Sequence, residues 1–526
     1  MMMAMLLVLS LTMGVMPAAI ATGGTGNAAP GKMKLSIISD THLFSADLGI
    51  TGPAFEAYLA GDRKLIAESE DLLDAAIEVL LNNDSEVILI PGDLTKDGEK
   101  YNHELMAQKL QVLLDAGKRV FVTPGNHDIN NTSAYGYTPE GRYSVETVSP
   151  EEFRAIYKDC GYSDAIAVDT NSLSYVVEPV AGYRVMAIDS CIYSPTRSTG
   201  GRFSPELLAW VLAQIKDAKN SGKEIVAFMH HGLVPHFSEQ PTYFAQYLIN
   251  DYENISNQLA DAGLGVVFTG HYHAQNISKH ISPAGNKIYD CETGSLVTNP
   301  CPIRNVVIDG KAFSTGTVYI TDIKNTNNTY TGDFQAFARS YVLVGLENQV
   351  VGLLASTLIA QGMPPAAAMI AAEAAANTFV APGLTLKAFV GGIMADHYAG
   401  TAAYNALSQA IVSALFAGDE VSQILAVFVH SVLVDMPPGN NAAAFKLNEN
   451  INTVVSAIPS AYVTKLNGNK NDLTITVKVT LLDGRTSSTT KTFSINNNAA
   501  GTYVVGEYKV YVDTKGNDQI RACYIV

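Results

Sequence analysis

Short runs of apolar, often β-branched residues recur in the first part of the chain, and each run ends in a turn that carries polar side chains. Such runs are typical of buried strands in an α/β sheet. Between them, apolar residues repeat at helical spacing, which predicts alternating strands and helices from about Lys34 to Ile323. This order of elements predicts right-handed crossovers and parallel pairing of the strands.

Four helices are predicted between these strands. Gly117 follows the second helix in the position that favours a left-handed C-terminal residue, and Pro205 lies in the first turn of the third. From Ile129 to Asp169 the alternation is absent, which predicts an inserted loop over the strand ends, where substrates would be selected. The predicted helices are Leu65 to Leu81, Tyr101 to Ala116, Pro205 to Ala218 and Asp251 to Ala262.

Polar side chains that can bind metals or move protons follow five of the apolar runs. Ligands in α/β sheets lie beyond the carboxyl ends of the strands. We therefore expect these five turns to meet at one metal site. The turns are Asp40-Thr41-His42, Gly92-Asp93, Gly125-Asn126-His127-Asp128, His230-His231 and Gly270-His271-Tyr272-His273.

The composition changes after about Arg339. Val342 to Phe428 is rich in apolar residues but is interrupted by charged ones, which predicts packed helices rather than membrane spans. Pro437-Pro438-Gly439 indicates a linker, and the alternating pattern that begins near Leu473 predicts a β-rich tail. We thus expect a signal peptide at 1–21, an α/β domain at 32–335, a helical domain at 336–440 and a β-rich module at 441–526.

The N-terminus and the net charge bear on location and partners. Met5 to Val15 is apolar and Ala19-Ile20-Ala21 fits a cleavage site, so we expect secretion or a cell-envelope location, although no Lys or Arg precedes Lys32. A buried N-terminus is the alternative. The net charge of −16 argues against a nucleic-acid polymer as partner. A small phosphate ester remains compatible, because metal ions supply local positive charge.

The residue types limit the metal chemistry. The five cysteines include no CxxC pair, which disfavours a zinc–thiolate site. Cys291 and Cys301 are candidates for a disulfide in an exported protein, and equally for two small buried side chains. Asp, His and Asn ligands favour Mn, Fe or Zn. Two such ions about 3.5–4 Å apart clamp a phosphoryl group and generate a metal-bound hydroxide near neutral pH.

The ordered motifs D-x-H, G-D, G-N-H-[DE], H and G-H-x-H resemble those of the calcineurin-like metallophosphoesterases. The resemblance implies a four-layer sandwich of two β-sheets flanked by helices. It also implies that His127 faces the substrate and serves the leaving group, as an acid or as a charge stabiliser. The implied ligands are Asp40, His42 and His273 at the first metal, Asn126, His230 and His271 at the second, and Asp93 as a bridge between them.

A narrower resemblance is to bacterial cyclic-nucleotide phosphodiesterases, some of which have a C-terminal helical domain. It concerns the segments Gly61 to Ser69, Gly125 to Asn131 and Gly270 to Gln275. The leading hypothesis is therefore a secreted phosphodiesterase acting on cyclic nucleotides or related small diesters. A broad phosphomonoesterase or nucleotidase is the runner-up, and a surface-binding protein that uses the fold as a scaffold is the third reading. Family members place a histidine beside the ligands or the substrate at positions such as His231 and His236, and a surface role is the alternative for these two; His397 and His430 are expected to pack in the helical region.

Overall fold

Two β-sheets lie face to face in the first part of the chain. They are described from a computed structural model. It describes residues 31–402, 405–418 and 420–435, and then the strands at 444–446, 460–469, 472–480, 486–494, 501–505, 508–515 and 519–525. The predicted signal peptide at 1–21 and the linker at Pro437-Pro438-Gly439 lie outside the described residues.

The first sheet has a parallel centre. Its strands β1, β2 and β3 pair in parallel, and antiparallel strands continue the sheet on the β1 side. In spatial order the sheet consists of Ala444–Lys446 (β17), Ala312–Tyr319 (β14), Pro302–Asp309 (β13), Met33–Ile37 (β1), Val87–Pro91 (β2) and Arg119–Thr123 (β3).

The second sheet is also mixed. Strands β8, β9, β10 and β12 run parallel to one another, and the remaining three strands pair antiparallel at the two edges. In spatial order it consists of Asn276–Ile281 (β11), Lys287–Glu292 (β12), Val266–Thr269 (β10), Glu224–Met229 (β9), Tyr183–Ile188 (β8), Tyr175–Val180 (β7) and Ala167–Val168 (β6).

Alternating side chains along the strands build the layers. Val87 and Leu89 join the apolar core between the two sheets, whereas Ile88 and Ile90 join the core under the helices. This alternation follows from the period of two along a strand. Helices α2 and α3 cover the outer face of the first sheet, and α5 and α7 cover that of the second. The expected four-layer sandwich is thereby confirmed. These helices are Ser69–Asn82 (α2), Lys100–Asp115 (α3), Pro205–Asn220 (α5) and Tyr252–Ala262 (α7).

The segment expected to be an inserted loop contains regular structure. A hairpin of Tyr135–Thr138 (β4) and Gly141–Ser144 (β5) packs on Pro53–Ala60 (α1) through an aromatic cluster. Pro150–Ile156 (α4) follows, with a reciprocal capping box between Ser149 and Glu152. The segment therefore differs from a plain loop because local caps and aromatic packing order it. A short helix, Gln240–Tyr243 (α6), precedes α7.

A helical region follows the sandwich, as expected. Its first helix, α8, is long and apolar enough to cross a membrane by length and composition, with a mean hydropathy of 1.6 and 33% of that window buried. Core helices pass the same test, and Arg339 of α8 pairs with Asp396 of α10 at 2.7 Å. The helices are Phe334–Ala360 (α8), Pro365–Ala376 (α9), Leu386–Ala399 (α10), Ala406–Phe416 (α11) and Glu420–Asp435 (α12).

Strands occupy the described parts of the tail. A short pair, Phe379–Ala381 (β15) and Leu384–Thr385 (β16), lies earlier, between α9 and α10. After β17, which joins the first sheet, the tail contains two three-stranded antiparallel sheets. Their strands are Ser460–Asn469 (β18), Asp472–Thr480 (β19) and Thr486–Ser494 (β20), then Gly501–Val505 (β21), Tyr508–Lys515 (β22) and Gln519–Ile525 (β23).

The cysteines whose side chains are described are free thiols. Cys160, Cys291 and Cys301 are buried, and Cys191 is partly buried. Burial raises the pKa of Cys291 to about 11, which keeps this thiol protonated. Within the described part of the chain, Cys291 and Cys301 are therefore buried apolar side chains and not a disulfide.

Candidate metal centre

The turns that follow β1, β2, β3, β9 and β10 meet at one edge of the sandwich. Most of the predicted ligands in these turns have a positive φ, which residues other than glycine rarely adopt. Such backbone strain persists only where the surrounding structure holds it, and it is concentrated at functional sites. The residues and their φ values are Asp40 at 48°, His42 at 37°, Asp93 at 46°, His271 at 76° and His273 at 66°.

Two glycines allow the turns to cross closely. A Cβ atom on Gly125 would lie 2.1 Å from the backbone nitrogen of Asp93, and one on Gly270 would lie 2.4 Å from Oδ2 of Asp40. Any side chain at these positions would displace the carboxylates. The glycines that precede Asn126 and His271 in the sequence motifs are therefore required by the packing of one turn against another.

Asp40, His42 and His273 form the first group of donor atoms. The Nε2 atoms of His42 and His273 are 3.4 Å apart, and Oδ1 of Asp40 is 3.4 Å from Nε2 of His273. The backbone N–H of His271 donates to Oδ1 of Asp40 at 3.0 Å, which orients the carboxylate. All three side chains are buried, so their donor atoms converge away from bulk water.

The second group consists of Asp93, His230 and His271. Each offers one ligand atom, and these three atoms lie within 4.8 Å of one another. Oδ1 of Asn126 is 3.0 Å from Nε2 of His230, which adds the amide to this group. Oδ2 of Asp93 is 3.4 Å from Nε2 of His230 and 3.6 Å from Nε2 of His42. One carboxylate oxygen thus belongs to both groups.

The tautomers of two histidines follow from their carbonyl partners, which only accept hydrogen bonds. Nδ1–H of His230 donates to the Pro91 carbonyl at 3.0 Å, so its Nε2 lone pair faces Asp93. Nε2–H of His271 donates to the Gln246 carbonyl at 3.2 Å, so its Nδ1 lone pair is the one available to a ligand. This pattern, in which the outer nitrogen is held by an acceptor, is typical of metal-binding histidines.

The electrostatics of the centre favour cations. Burial lowers the pKa of His230, but the carboxylates of Asp93 and Asp40 and the Pro91 carbonyl together outweigh burial and raise this pKa to about 9. The potential that stabilises a proton on His230 also attracts a divalent ion. Lone pairs of imidazole, carboxylate and amide groups converge here without a thiolate, and this donor set fits Mn, Fe or Zn. The residues present therefore fit the two ions that the resemblance implies.

His127 lies at the rim of this centre. Its side chain is 25% exposed, whereas that of Asp93 is 2% exposed. Nδ1–H of His127 donates to Oδ1 of Asp97 at 2.9 Å, and Nε2 lies 4.0 Å from Oδ2 of Asp93. Burial lowers the pKa of His127, but the carboxylates of Asp93 and Asp97 outweigh burial and raise it. The imidazole is thus oriented with Nε2 toward the centre.

Sequence reasoning missed Asp97 and assigned no role to Asp128, although Asp128 belongs to one of the predicted turns. Asp97 lies in the same turn as Asp93, but this spacing alone does not show that its carboxylate contacts His127. Asp128, although part of the motif, accepts backbone N–H groups from Gly125 at 2.7 Å and Thr95 at 3.1 Å. Burial, together with the Asp93 carboxylate, raises the pKa of Asp128 to about 7. Asp128 therefore links two of the turns from behind the centre.

The other histidines singled out in the sequence lie outside the two donor groups. Nε2–H of His231 donates to the Thr199 carbonyl at 3.0 Å, and Nδ1 contacts the Ser190 hydroxyl at 2.8 Å. His236 is buried, 2.8 Å from the carboxylate of Glu292 and 3.5 Å from His397 of α10. His430 contacts Phe416 at a ring-centroid distance of 6.0 Å. His231 is held by residues near the turns, His236 and His397 join the sandwich to α10, and His430 packs within the helical region.

All seven predicted ligands and His127 thus meet at one place. A model of the calcineurin-like phosphoesterase family matches residues 33–275. A dimetal phosphatase from Danio rerio is 14% identical, with a TM-score of 0.39 over 54% of this chain and 95% of that chain. A purple acid phosphatase from yellow lupin seeds is 10% identical, with a TM-score of 0.36 over 58% of this chain and 53% of that chain.

An NAD nucleotidase from Haemophilus influenzae is 12% identical, with a TM-score of 0.30 over 67% of this chain and 62% of that chain. The comparison with curated proteins gave no match. Identities and TM-scores this low carry no argument about activity. The family match itself spans the five ligand-bearing turns, from the one after β1 to the one after β10. Residues 33–275 are a domain of the calcineurin-like phosphoesterase family, whose members are metal-dependent phosphoester hydrolases with a dimetal centre.

Proposed function

We propose that the protein is a secreted binuclear-metal phosphodiesterase that acts on cyclic nucleotides or related small diesters. The observation that carries the proposal is the position of the Asp93 carboxylate, whose Oδ2 lies 3.6 Å from His42 and 3.4 Å from His230. A carboxylate shared by two donor groups is what holds two metal ions at the spacing needed for phosphoryl transfer.

The ligands would divide between two ions in this proposal. Asp93 would be shared by both ions, and the donor groups on either side of it would each hold one. When bound, the two ions supply positive charge for the phosphoryl group and lower the pKa of a nucleophilic water. The first ion would be held by Asp40, His42 and His273, and the second by Asn126, His230 and His271.

His127 and Asp97 perform the proton chemistry. Asp97 accepts from Nδ1 of His127, which fixes the imidazole and leaves Nε2 for the substrate. Burial lowers the pKa of His127, but the Asp93 and Asp97 carboxylates outweigh burial and raise it, which favours proton binding compared with a free histidine. A protonated Nε2–H at the open side of the centre donates to the leaving oxygen as the P–O bond breaks. An alkoxide leaving group, such as a ribose hydroxyl, needs this proton most.

We extend the proposal to export and cleavage after the apolar N-terminal segment. Its support is the apolar run from Met5 to Val15 followed by Ala19-Ile20-Ala21. Sequencing the N-terminus of the protein recovered from the envelope and the medium of its host tests this part. An N-terminus that still begins at Met1 would contradict cleavage.

Parallel assays on three substrates test the activity. The protein, reconstituted with Mn, Fe or Zn, is assayed on bis-p-nitrophenyl phosphate, p-nitrophenyl phosphate and cyclic AMP. We expect the two diesters to be hydrolysed with a higher kcat/KM than the monoester. Preference for p-nitrophenyl phosphate would instead indicate a phosphomonoesterase or nucleotidase. Two bound metals without any hydrolysis would indicate that the fold serves as a binding scaffold.

A further inference from the structure

A short basic segment lies beside the first donor group. The backbone N–H of Leu65 donates to the Val297 carbonyl at 2.7 Å. The residue after Val297, Thr298, has its hydroxyl 3.4 Å from Nδ1 of His273. The segment is therefore connected to the predicted ligand His273 through the Leu65–Val297 hydrogen bond and the contact of Thr298. The basic residue that precedes Leu65 is Lys64.

The ammonium of Lys64 is nearly buried and has a single acidic partner. The side chain is 10% exposed, and Nζ lies 3.3 Å from Oδ2 of Asp62. Oδ1 of Asp62 is already used by the backbone N–H groups of Arg63 at 2.7 Å and Lys64 at 3.1 Å. An ammonium has three donors, and among the described residues Asp62 is the one acceptor found for it. Burying such a group is costly unless an anion completes its partners.

Arg63 adds a second positive charge to the segment. Its Nη2 lies 3.5 Å from the hydroxyl of Tyr247, and its Nε is buried without a hydrogen-bond partner within the described chain. The ring of Tyr247 packs on His271 with centroids 4.7 Å apart. Two cations therefore stand against one carboxylate beside the centre, which leaves the segment with about one unit of positive charge.

The Lys64 ammonium lies close enough to the centre for its positive charge to act at His42 and His273 of the first donor group, and at His127. The ammonium therefore adds positive potential to the region between the ligands and the proposed proton donor.

We infer that Lys64 is a substrate-binding residue whose ammonium binds a non-bridging oxygen of the phosphoryl group, with Asp62 holding the ammonium in position. This inference rests on the proposed function and adds a binding residue that is not a metal ligand. Negative charge grows on the phosphoryl oxygens as the nucleophile adds, so a fixed ammonium stabilises the transition state more than the ground state. The contact applies to monoesters and diesters alike.

The test compares the binding of inorganic phosphate to metal-loaded variants by calorimetry, with metal content measured on the same samples. Lys64→Met removes the ammonium. The double variant Asp62→Asn/Lys64→Met removes the ion pair as a unit. Lys109→Met is the matched control, because Lys109 is 14% exposed and pairs with Asp74 at 2.6 Å on the outer helix α3.

We expect Lys64→Met and the double variant to weaken phosphate binding at least about tenfold with two metals retained, and Lys109→Met to bind as the wild type does. Wild-type affinity in Lys64→Met overturns the inference. Restored affinity in the double variant also overturns it, because Lys64 would then only neutralise Asp62. Loss of metal in the folded double variant overturns it as well. If Lys64→Met does not fold, the phosphate affinity and metal content of Lys64→Arg and of the double variant are compared with those of the wild type instead.

The phosphate-binding measurement distinguishes a failure of this inference from a failure of the proposed function. A wild-type protein that binds phosphate but hydrolyses no diester contradicts the proposed substrate and leaves the Lys64 comparison intact. A metal-loaded wild-type protein that binds no phosphate overturns the inference on Lys64 directly.

Discussion

Nδ1 of His127 and Oδ1 of Asp97 are 2.9 Å apart, so the imidazole at the rim of the centre has one fixed orientation. The pairing resembles a buried acid that holds a histidine in one tautomer while the other nitrogen does the chemistry. The contact also changes the pKa of Asp97. Burial alone would raise the pKa of Asp97, but His127 and Lys96 together hold it well below its usual range.

Replacing His127 with alanine should separate chemistry from metal binding. We expect His127→Ala to keep two metals and to lose about 10²–10⁴-fold in kcat on cyclic AMP, the usual contribution of a general acid. The loss on bis-p-nitrophenyl phosphate should be smaller, because nitrophenolate leaves without a proton. Steady-state kinetics and elemental analysis measure both. Equal losses on the two substrates would indicate phosphate binding, and a lost metal would make His127 a ligand.

Replacing Asp93 should affect both metals at once. Its Oδ2 serves both donor groups, so Asp93→Asn removes charge from two coordination shells. We expect weaker binding of both ions and a loss of activity by orders of magnitude. Elemental analysis and titration calorimetry give the occupancies. Full occupancy by two ions in the variant would contradict the bridging role.

Gly125 should not tolerate a methyl group. A Cβ there would lie 2.1 Å from the nitrogen and 2.2 Å from Oδ1 of Asp93, so Gly125→Ala should displace the carboxylate and lower metal occupancy. Gly352→Ala is the control, since nothing lies within 4 Å of that Cβ and Gly352 lies inside α8. The control should be neutral or more stable by about 0.5–1 kcal/mol. Gly125→Ala with full occupancy would show that the turns can separate.

The position of β17 determines where the tail can be truncated without exposing a sheet edge. All predicted ligands precede α8, so truncation near residue 441 is expected to preserve metal binding. However, Ala444–Lys446 forms an edge strand on β14, so removing it exposes that edge. We expect a chain that ends after Lys446 to keep both metals and to stay monodisperse better than one that ends before Ala444. Metal loss from a folded truncation would show that the tail helps to build the centre.

His103 should make stability depend on pH. Burial lowers its pKa to about 4, and both ring nitrogens are used, by the Tyr157 hydroxyl at 2.8 Å and the Asp128 carbonyl at 3.0 Å. Between an unfolded pKa of about 6.5 and the folded value, the unfolded chain binds the proton and the folded chain does not. The stabilisation present above pH 6.5 is therefore lost as the pH falls through this window.

The comparison is between the wild type and His103→Gln in denaturant unfolding at pH 7 and pH 5. We expect the wild type to lose about 2 kcal/mol more than the variant between these values, by linkage. Both proteins contain the other buried histidines, so the contributions of those residues to the loss of stability cancel when the two losses are subtracted. An equal loss in the two proteins would show that His103 does not titrate in this way.

The sequence predicted the strand ends because each carries a local signal. A β-branched run followed by Gly-Asp or Gly-Asn-His is visible without any long-range information. The predicted helices differ from α2, α3, α5 and α7 by a few residues at their ends. The antiparallel strands β11, β13 and β14 were not predicted, because their apolar and polar residues alternate within short segments that also resemble loops.

Contacts between distant segments could not be read from local patterns. His236 meets His397, and the Gln275 N–H donates to the Tyr398 carbonyl at 2.9 Å, which joins α10 to the turns of the centre. Asp97 was missed for a related reason. Its role depends on the direction of the His127 ring, which the fold sets and the spacing does not. The helical region therefore supports the centre in a way that composition alone does not reveal.

The distance along the chain between ligands determines when the centre can form. His42 and His273, whose Nε2 atoms lie 3.4 Å apart, are separated by 231 positions. A growing chain therefore lacks a complete first donor group until it has been synthesised beyond His273 and the turns after β1 and β10 have come together. Metal uptake is then a late step of maturation. Since affinities of such sites overlap among transition metals, the compartment in which folding finishes, through its metal supply, selects the ions that are loaded.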